Sequence, residues 1–497
     1  MKKTILASML AVMMATPAFA AESTDIVIIG SGGAGLSSAI TATEKGAKVI
    51  VLEKMAYFGG NSNRSEGEMN AAGTKQQKAH GITDDTPERF AADTIRGGHG
   101  LNDPALVKAL TENAASAEEW LLDLGAHFCH RMGRGGGQTR ARGHGPCDGS
   151  PVGIEIMRVL GERADKDHID MRLNNRVTKI LMKNGKVSGV QVKTPKGMET
   201  INAKAVIIAT GGFGANEAMK KKYLRFPGVD GLAQTGKTGD GIQMAWKAGA
   251  AEDGVEVQAS YRPGPKGVGT TNQVAASAKQ PHLWLNPEGD RFVDETVMLE
   301  WPFAGNALER NGGKMWVVYD QATLDYMKNE GIDLGVGVMV PVATKLTKFD
   351  SEWDAAEKAG WAKKANTLDE LAKMTGMHAD VLKKNVAEYN HWADIRHDGL
   401  FAKNPKYIRH VNKAPYYAIQ LVATSLGTLG GIKIDDKWEV VRKDDSPIKG
   451  LYAAGNDAGG MYGDSYDLLM AGSTIAWAVN GGRIAAENAV KYIGLKK

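Results

Sequence analysis

Cysteine is almost absent from this chain: Cys129 and Cys147 are the only two among 497 residues. No C-x-x-C-H sequence occurs, which excludes haem covalently attached to this chain. A disulfide between the two, closing a glycine-rich loop, and a pair of free buried thiols both remain open from sequence. Long apolar runs are lacking as well, so nothing beyond the first twenty residues is fit to span a bilayer. No basic tract of five residues exists, and 61 Lys and Arg face 57 Asp and Glu. That balance argues against nucleic acid as a partner. A twin arginine is missing from the N-terminus, which points to Sec export over Tat.

What is present begins with an export signal. Lys2 and Lys3 form a positive start, Ile5 to Ala15 an apolar core, and Ala18-Phe19-Ala20 a small-residue cleavage site. An ordinary buried N-terminal helix is the competing reading, but all three features of residues 1–20 coincide. The mature protein is therefore expected to start near Ala21 and to occupy a Gram-negative periplasm. The remainder is long enough for two domains. Its 61 glycines imply many tight turns and close backbone approaches.

One compact unit carries a dinucleotide signature. Asp25 to Gly30 reads as a buried strand that runs into Gly30-Ser31-Gly32-Gly33-Ala34-Gly35, followed by a helix to about Lys45. A second strand, Lys48 to Leu52, ends at Glu53. Gly30 permits the tight turn, Gly32 lets backbone approach a pyrophosphate, and Gly35 lets helix pack on strand. The helix N-terminus offers unpaired N–H groups to the phosphates, and Glu53 is placed to accept from ribose hydroxyls. FAD is favoured over NAD because small residues continue beyond the acid. Gly59-Gly60-Asn61-Ser62 comes first, then Gly67 to Thr74, which includes Met69 and Asn70. Such a path lets backbone run beside a flavin ring. Ala205 to Thr210 reads as another buried strand closing on Gly211-Gly212, and Gly450 to Gly455 as a last one before Asn456-Asp457. Lys54 and Asp240 are counted with the cofactor-binding residues.

These segments, with Gln76 to Gly98 and Asn102 to Lys108, resemble the fumarate reductase/succinate dehydrogenase flavoprotein family. Among the members of that family, it looks similar to the soluble periplasmic flavocytochrome c fumarate reductases and urocanate reductases. The resemblance implies an α/β fold: a doubly wound, Rossmann-like FAD domain with an inserted α+β capping domain. On this numbering the FAD domain covers 21–254 and 425–497, and the cap covers 255–424. It also implies cofactor positions. Gly30, Gly32, Gly33, Ala34 and Gly35 form the phosphate loop, Glu53 the ribose acid, and Asn61 and Ser62 the flavin path. Val177, in the strand before the Asn184-Gly185 turn, meets adenine through its backbone. Thr210, Gly211 and Gly212 lie near the cofactor, Gly455 and Asn456 at the ribityl chain. Ser473, Thr474 and Ile475 open a last helix toward the flavin pyrimidine end, where Ser473 could instead simply cap that helix. Non-covalent FAD is expected, because Gly60-Asn61-Ser62 holds no histidine where membrane-bound members have one.

The same resemblance shows where this chain departs from the family. After Gly289-Asp290-Arg291-Phe292-Val293-Asp294-Glu295, the arginine that donates the proton falls at or next to Leu299. The family's His-Pro-Thr segment reads Ser260-Tyr261-Arg262-Pro263. Its His-His-Thr-x-Gly-Gly segment reads Leu426-Gly427-Thr428-Leu429-Gly430-Gly431. Its C-terminal arginine falls at Tyr466 in Tyr462-Gly463-Asp464-Ser465-Tyr466. A buried carboxylate without charged partners is costly, so fumarate is not expected as substrate. Tyr261, Tyr462 and Tyr466 gather at the vacated positions, and the Gly455–Tyr466 run is similar to the tail of 3-ketosteroid dehydrogenases. A phenol of depressed pKa would serve as general acid or oxyanion donor, with Tyr466 first and Tyr261 second. Packing as wall residues is the bland alternative. Arg131, Arg134, Arg140, Arg142 and His144 form a basic, glycine-rich loop. Either it is a solvated face or Arg140, Arg142 or His144 reaches substrate.

The expected activity is reduction of an activated C=C bond, in a small organic acid or enone other than fumarate and more aromatic than it. A separate c-type cytochrome or quinol-linked donor would supply the electrons. Two rivals stand beside it: a ketosteroid-dehydrogenase-like desaturase, with Trp284, Leu285, Trp301 and Phe303 lining its slot, and a non-catalytic flavin electron carrier. Asp464 and Asp467 could meet a polar substrate group. No metal is expected.

Overall fold

A computed structural model describes residues 22–495, apart from 130–131, 227, 233–234, 270 and 337–339. The expected signal segment 1–20 and Arg131 lie outside the described residues.

The chain opens with strand β1 (Glu22–Ile29), helix α1 (Gly33–Glu44) and strand β2 (Val49–Leu52). The βαβ unit forms where the sequence implies, with the helix end and second strand within one residue of expectation and the first strand beginning three residues earlier, at Glu22 instead of Asp25. Ile26 to Ile29 and Val49 to Leu52 are apolar without alternation because both faces of their sheet are covered; none is more than 7 % exposed. Strand β3 (Gly197–Ile208) pairs in parallel with β1, with Ile26 opposite Ala205. Near the C-terminus, β5 (Pro447–Ala453) pairs in parallel with β3. Between them in sequence comes β4 (Tyr416–Thr428), which belongs to a second sheet. The first sheet runs Glu439–Val441, β5, β3, β1, β2, Asp170–Arg172, with the hairpin Arg176–Lys183/Lys186–Thr194 added to β3.

The final helix, α2 (Ser473–Tyr492), lies against α1. Their contact is close because small residues face each other. Ser38 Oγ donates to Ala34 O at 2.8 Å and Gly482 O at 2.9 Å, and a Cβ at Gly482 would overlap Ala34 O. Gly30 (φ +107°) and Gly35 meet the close-approach requirement in the same way. A Cβ at Gly35 would overlap Gly30 O, and one at Gly30 would overlap Ala209 O. These two glycines are dictated by packing and turn geometry.

In the second sheet β4 is central, pairing with Gln258–Gly264, Lys314–Asp320, Ala362–Ala365 and Asp230–Gly231. Apolar clusters cover both faces, one around Trp284, Met315 and Leu421, the other around Leu283, Trp316 and Val386. Helix Trp301–Arg310 crosses the strand Gln258–Gly264. Gly305 allows that crossing, since a Cβ there would stand 3.3 Å from Tyr261 O. The Gly289–Glu295 stretch serves this layer structurally. Buried Arg291 holds Glu295 at 2.8 Å and Asp398 at 2.7 Å, and Lys403 holds Glu295 at 3.0 Å. Cys129 and Cys147 are joined in a disulfide, which resolves the choice the sequence left open.

Candidate active site

The C-terminal ends of β1, β2, β3 and β5 converge on a groove, as ligand sites on open parallel sheets do. It comprises two concavities of about 550 Å³ each, open solvent included. The first is bounded by Gly30, Glu53, Lys54, Gly60, Val177, Thr210 and Asp240. The second is bounded by Gly32, Gly33, Ala34, Asn61, Ser62, Gly211, Gly455, Asn456, Thr474 and Ile475. Most cofactor positions expected from sequence therefore face one continuous slot. Lys237 borders both halves, its Nζ 3.2 Å from Thr210 O and close to Gly60 and Gly211.

At the first half, Glu53 caps the end of β2 and accepts from Ser31 Oγ at 2.8 Å, Ser31 N at 3.1 Å and Met55 N at 2.9 Å. Asp240 is gripped by Arg176 (2.9 and 3.0 Å) and Lys54 (3.1 Å). Burial alone would raise its carboxyl, but these cations outweigh burial and hold it below the usual carboxylate range. Arg176 and Lys237 were missed in the sequence; no motif marks a lone cation on a strand or loop. Tyr57 and Asn175 complete this half.

At the second half, Gly33 N donates to Ser62 Oγ at 2.9 Å, which fixes the Gly59–Ser62 turn over the phosphate loop. Gly211 and Gly212 sit here by a different route from the one expected. Their N–H groups donate to Asp457 (3.0 and 2.9 Å), together with Thr210 N and Oγ1. These two N–H groups are thus engaged by a buried carboxylate, and Asp457 was not singled out in the sequence. Ser473 is fully buried, accepting from Asn70 Nδ2 at 3.2 Å, and the N-cap of α2 is Gly472 (φ +90°). Met69 and Asn70 support that helix start, Asn70 Nδ2 also donating to Ala471 O at 2.7 Å. Gly35 and Gly212 pack against backbone or Thr428, and Gly67 is exposed away from the slot.

Beside the α2 N-terminus stands a run of aromatic rings. Tyr466 meets Trp301 edge-on at 6.4 Å and Tyr462 at 5.9 Å, and Trp301 meets Tyr261 at 5.1 Å. The three tyrosines read from sequence are thus brought together, with Trp301 between Tyr466 and Tyr261. Tyr466 Oη accepts from Gly472 N at 3.2 Å and bonds the side chain of Thr474, a residue that borders the second half of the groove. The expectation of a depressed phenol pKa is corrected. Burial pushes Tyr466 up to about 12 although Thr474 and the Gly472 N–H pull it back, and burial raises Tyr261 and Tyr462 as well. All three remain neutral donors at physiological pH. Tyr462 Oη is buried with no partner.

The basic loop is corrected too. Arg142 is completely buried, with Nε and one terminal nitrogen on Asp85 (3.1 and 2.9 Å) and the other on Asp93 (2.8 Å). His144 is buried between Thr74 Oγ1 (2.9 Å) and the carbonyls of Arg142 (2.9 Å) and Met69 (3.2 Å), and burial lowers its pKa to about 4. Arg140 pairs with Asp84, and Arg134 donates to Gln138 O. Arg140 and Arg142 brace the segment 84–93 and His144 ties Thr74 to the Met69 and Arg142 carbonyls, so all three already have partners inside the chain. Asp464 pairs with His99, and Asp467 caps the turn at Leu469. Trp284 and Leu285 are core residues at 0 % exposure and line no slot, whereas Leu299 and Phe303 are exposed. Among the described residues no His, Cys, Asp and Glu cluster suits a metal ion.

Residues 25–469 match the family described as FAD binding domain. A fumarate reductase (cytochrome) of Shewanella frigidimarina is 36% identical over 476 residues, 95% of this chain and 78% of that protein. A vinyl phenol reductase of Lactiplantibacillus plantarum is 32% identical over 491 residues, covering 95% and 97%. Among solved structures, the open conformation of a flavocytochrome c3 fumarate reductase superposes with TM-score 0.77 at 31% identity, over 95% of this chain and 79% of that one. The 3-ketosteroid Δ1-dehydrogenase of Sterolibacterium denitrificans shares the fold at TM-score 0.76 and 20% identity, over 95% and 100%. The glycine-lined slot, the Glu53 acid and the Lys237 amine fit the pyrophosphate and ribose of FAD, and FAD is the cofactor of this family.

Proposed function

The chain belongs to the FAD binding domain family, and we propose that it reduces the activated C=C bond of an aryl-substituted enoate or enone other than fumarate. One observation carries this reading: Tyr261, Trp301 and Tyr466 form a continuous aromatic wall that reaches the start of α2, where Thr474 borders the groove. Bound, reduced FAD supplies the hydride for the β-carbon. The protein's own residues do the rest. Glu53, with Lys237 and the loop 30–35, seats the cofactor. Trp301 and Tyr261 stack the substrate ring and exclude water, and Tyr466 donates its hydroxyl proton to the α-carbon. A pKa near 12 does not hinder that transfer, since a carbon α to a carbonyl is a far stronger base than phenolate once hydride has arrived. Leu299 and Tyr466, standing where family members carry arginines, account for the exclusion of fumarate.

Electrons then come from a separate c-type cytochrome or quinol-linked donor, and the protein acts in the periplasm after loss of residues 1–20. The Cys129–Cys147 disulfide supports an oxidising compartment. Anaerobic assay with reduced methyl viologen and a panel of fumarate, urocanate, cinnamates, 4-vinylphenol and a Δ1-steroid tests the reading. Viologen oxidation by an aryl enoate, with fumarate inert, is expected. Brisk fumarate turnover, or silence with every compound, would overturn it.

A further inference from the structure

Two cations stand near the aromatic wall, Arg262 and Lys279, with the Glu66 carboxylate as a charged neighbour of Lys279. Lys279, which follows helix Gln273–Ala278, is 6 % exposed. It lies against Gly264, its Nζ 3.4 Å from where a Cβ there would stand. Two residues earlier on the same strand, the Arg262 guanidinium lies 5.9 Å from the Trp301 ring centroid and 6.0 Å from that of Tyr261. One of its terminal nitrogens donates to Gly335 O at 2.8 Å, while Nε is buried and unpartnered. Thr424 Oγ1 holds the Arg262 carbonyl at 2.7 Å and so fixes the strand.

Burying one unpaired cation is costly, and placing two like charges together costs more. Burial lowers the Lys279 pKa to about 8, with Arg262 lowering it further and Glu66 opposing. A ligand anion beside this pair would offset the two like charges and give the buried, unpartnered Arg262 Nε an acceptor. Arginine adds a planar fork suited to a carboxylate.

We propose that Arg262 and Lys279 seat the carboxylate of the substrate, so that the natural substrate class is an arylacrylate. This rests on the reductase reading above. The acid is held from the Gln258–Gly264 strand, its ring lies on Trp301 and Tyr261, and its double bond is directed toward Tyr466. The cations lost at Leu299 and Tyr466 are thereby replaced from elsewhere on the chain.

Ligand titration of the oxidised holoprotein, followed by the change in flavin absorbance, separates the two ideas because it needs no turnover. The probes are 3-(4-hydroxyphenyl)propanoate and the neutral 4-ethylphenol. Wild type should bind the acid about 10- to 100-fold more tightly, the worth of one or two charge-assisted hydrogen bonds. R262Q and K279Q should each erase most of that preference and leave 4-ethylphenol binding unchanged, while R262K and K279R retain part of it. Equal binding of acid and phenol by wild type overturns the proposal, whether or not the variants fold. So does equal weakening of both probes in the variants. Should the acid preference hold while no enoate oxidises viologen, the seat stands and the reductase reading falls. Turnover of aryl enones without carboxylate preference would sink the seat alone.

Discussion

Around the phosphate loop the polar groups already have partners inside the chain: Glu53 holds Ser31, Gly33 N donates to Ser62, and Asp457 takes three backbone N–H groups. Around Trp301, Arg262 Nε and Tyr462 Oη are buried without partners. The first region is a finished scaffold whose geometry is set before any ligand arrives, as preorganisation requires. The second leaves buried polar atoms waiting, which is the pattern of a surface whose ligand completes it. The contrast teaches where to look for specificity: in the aromatic and cationic wall before the cofactor groove.

The largest expected effect would break that contrast at the scaffold. Arg142→Met leaves buried Asp85 with no cation and Asp93 with only the partly exposed Arg96, and should cost about 4 kcal/mol, the penalty of stranding a buried charge. Thermal melting checks it, and an unchanged melting temperature with a raised KM would return Arg142 to the substrate. His144 comes next. Burial holds its folded pKa at about 4, below the ordinary imidazole value of 6.5, so below pH 6.5 the unfolded chain takes up a proton that the folded imidazole refuses. Stability present above pH 6.5 should fall by about 3 kcal/mol as the pH drops toward 4. His144→Gln should flatten that slope in a series of melts.

Two smaller effects sharpen the other side. Carboxylate binding should weaken as the pH rises through about 8, where the Lys279 amine, with Arg262 and Glu66 as its charged neighbours, loses its proton. The dependence should vanish in K279Q, read by the same flavin titration. Tyr462→Phe removes a hydroxyl that has no partner and should change stability by no more than about 1 kcal/mol, in the favourable direction. Loss of turnover in that variant would mean that Tyr462 Oη meets the ligand.

The cofactor groove was legible in the sequence because its constraints are local. G-x-G-x-x-G, the strand runs and Glu53 each encode geometry within a few residues. The tyrosine gathering was legible only through resemblance, by noticing which positions had lost arginine. Arg142 and His144 misled because a basic, glycine-rich stretch looks solvated until its partners are known. Asp85 and Asp93 lie about fifty residues away, and nothing local announces the pairing. Lys237, Asp457 and Lys279 escaped for the same reason, since a lone charge gains meaning only from what the fold brings against it. The phenol pKa was misjudged in sign because burial, the dominant cause, is invisible in sequence.

The most direct test of the central claim is the turnover of Tyr466→Phe with an aryl enoate and reduced viologen, at matched flavin content. Loss of about 100-fold or more in kcat with FAD binding intact is expected, within the range for removal of a general acid. Full turnover with FAD retained would contradict the role given to Tyr466, and with it the claim that phenols have taken over from arginine in this site.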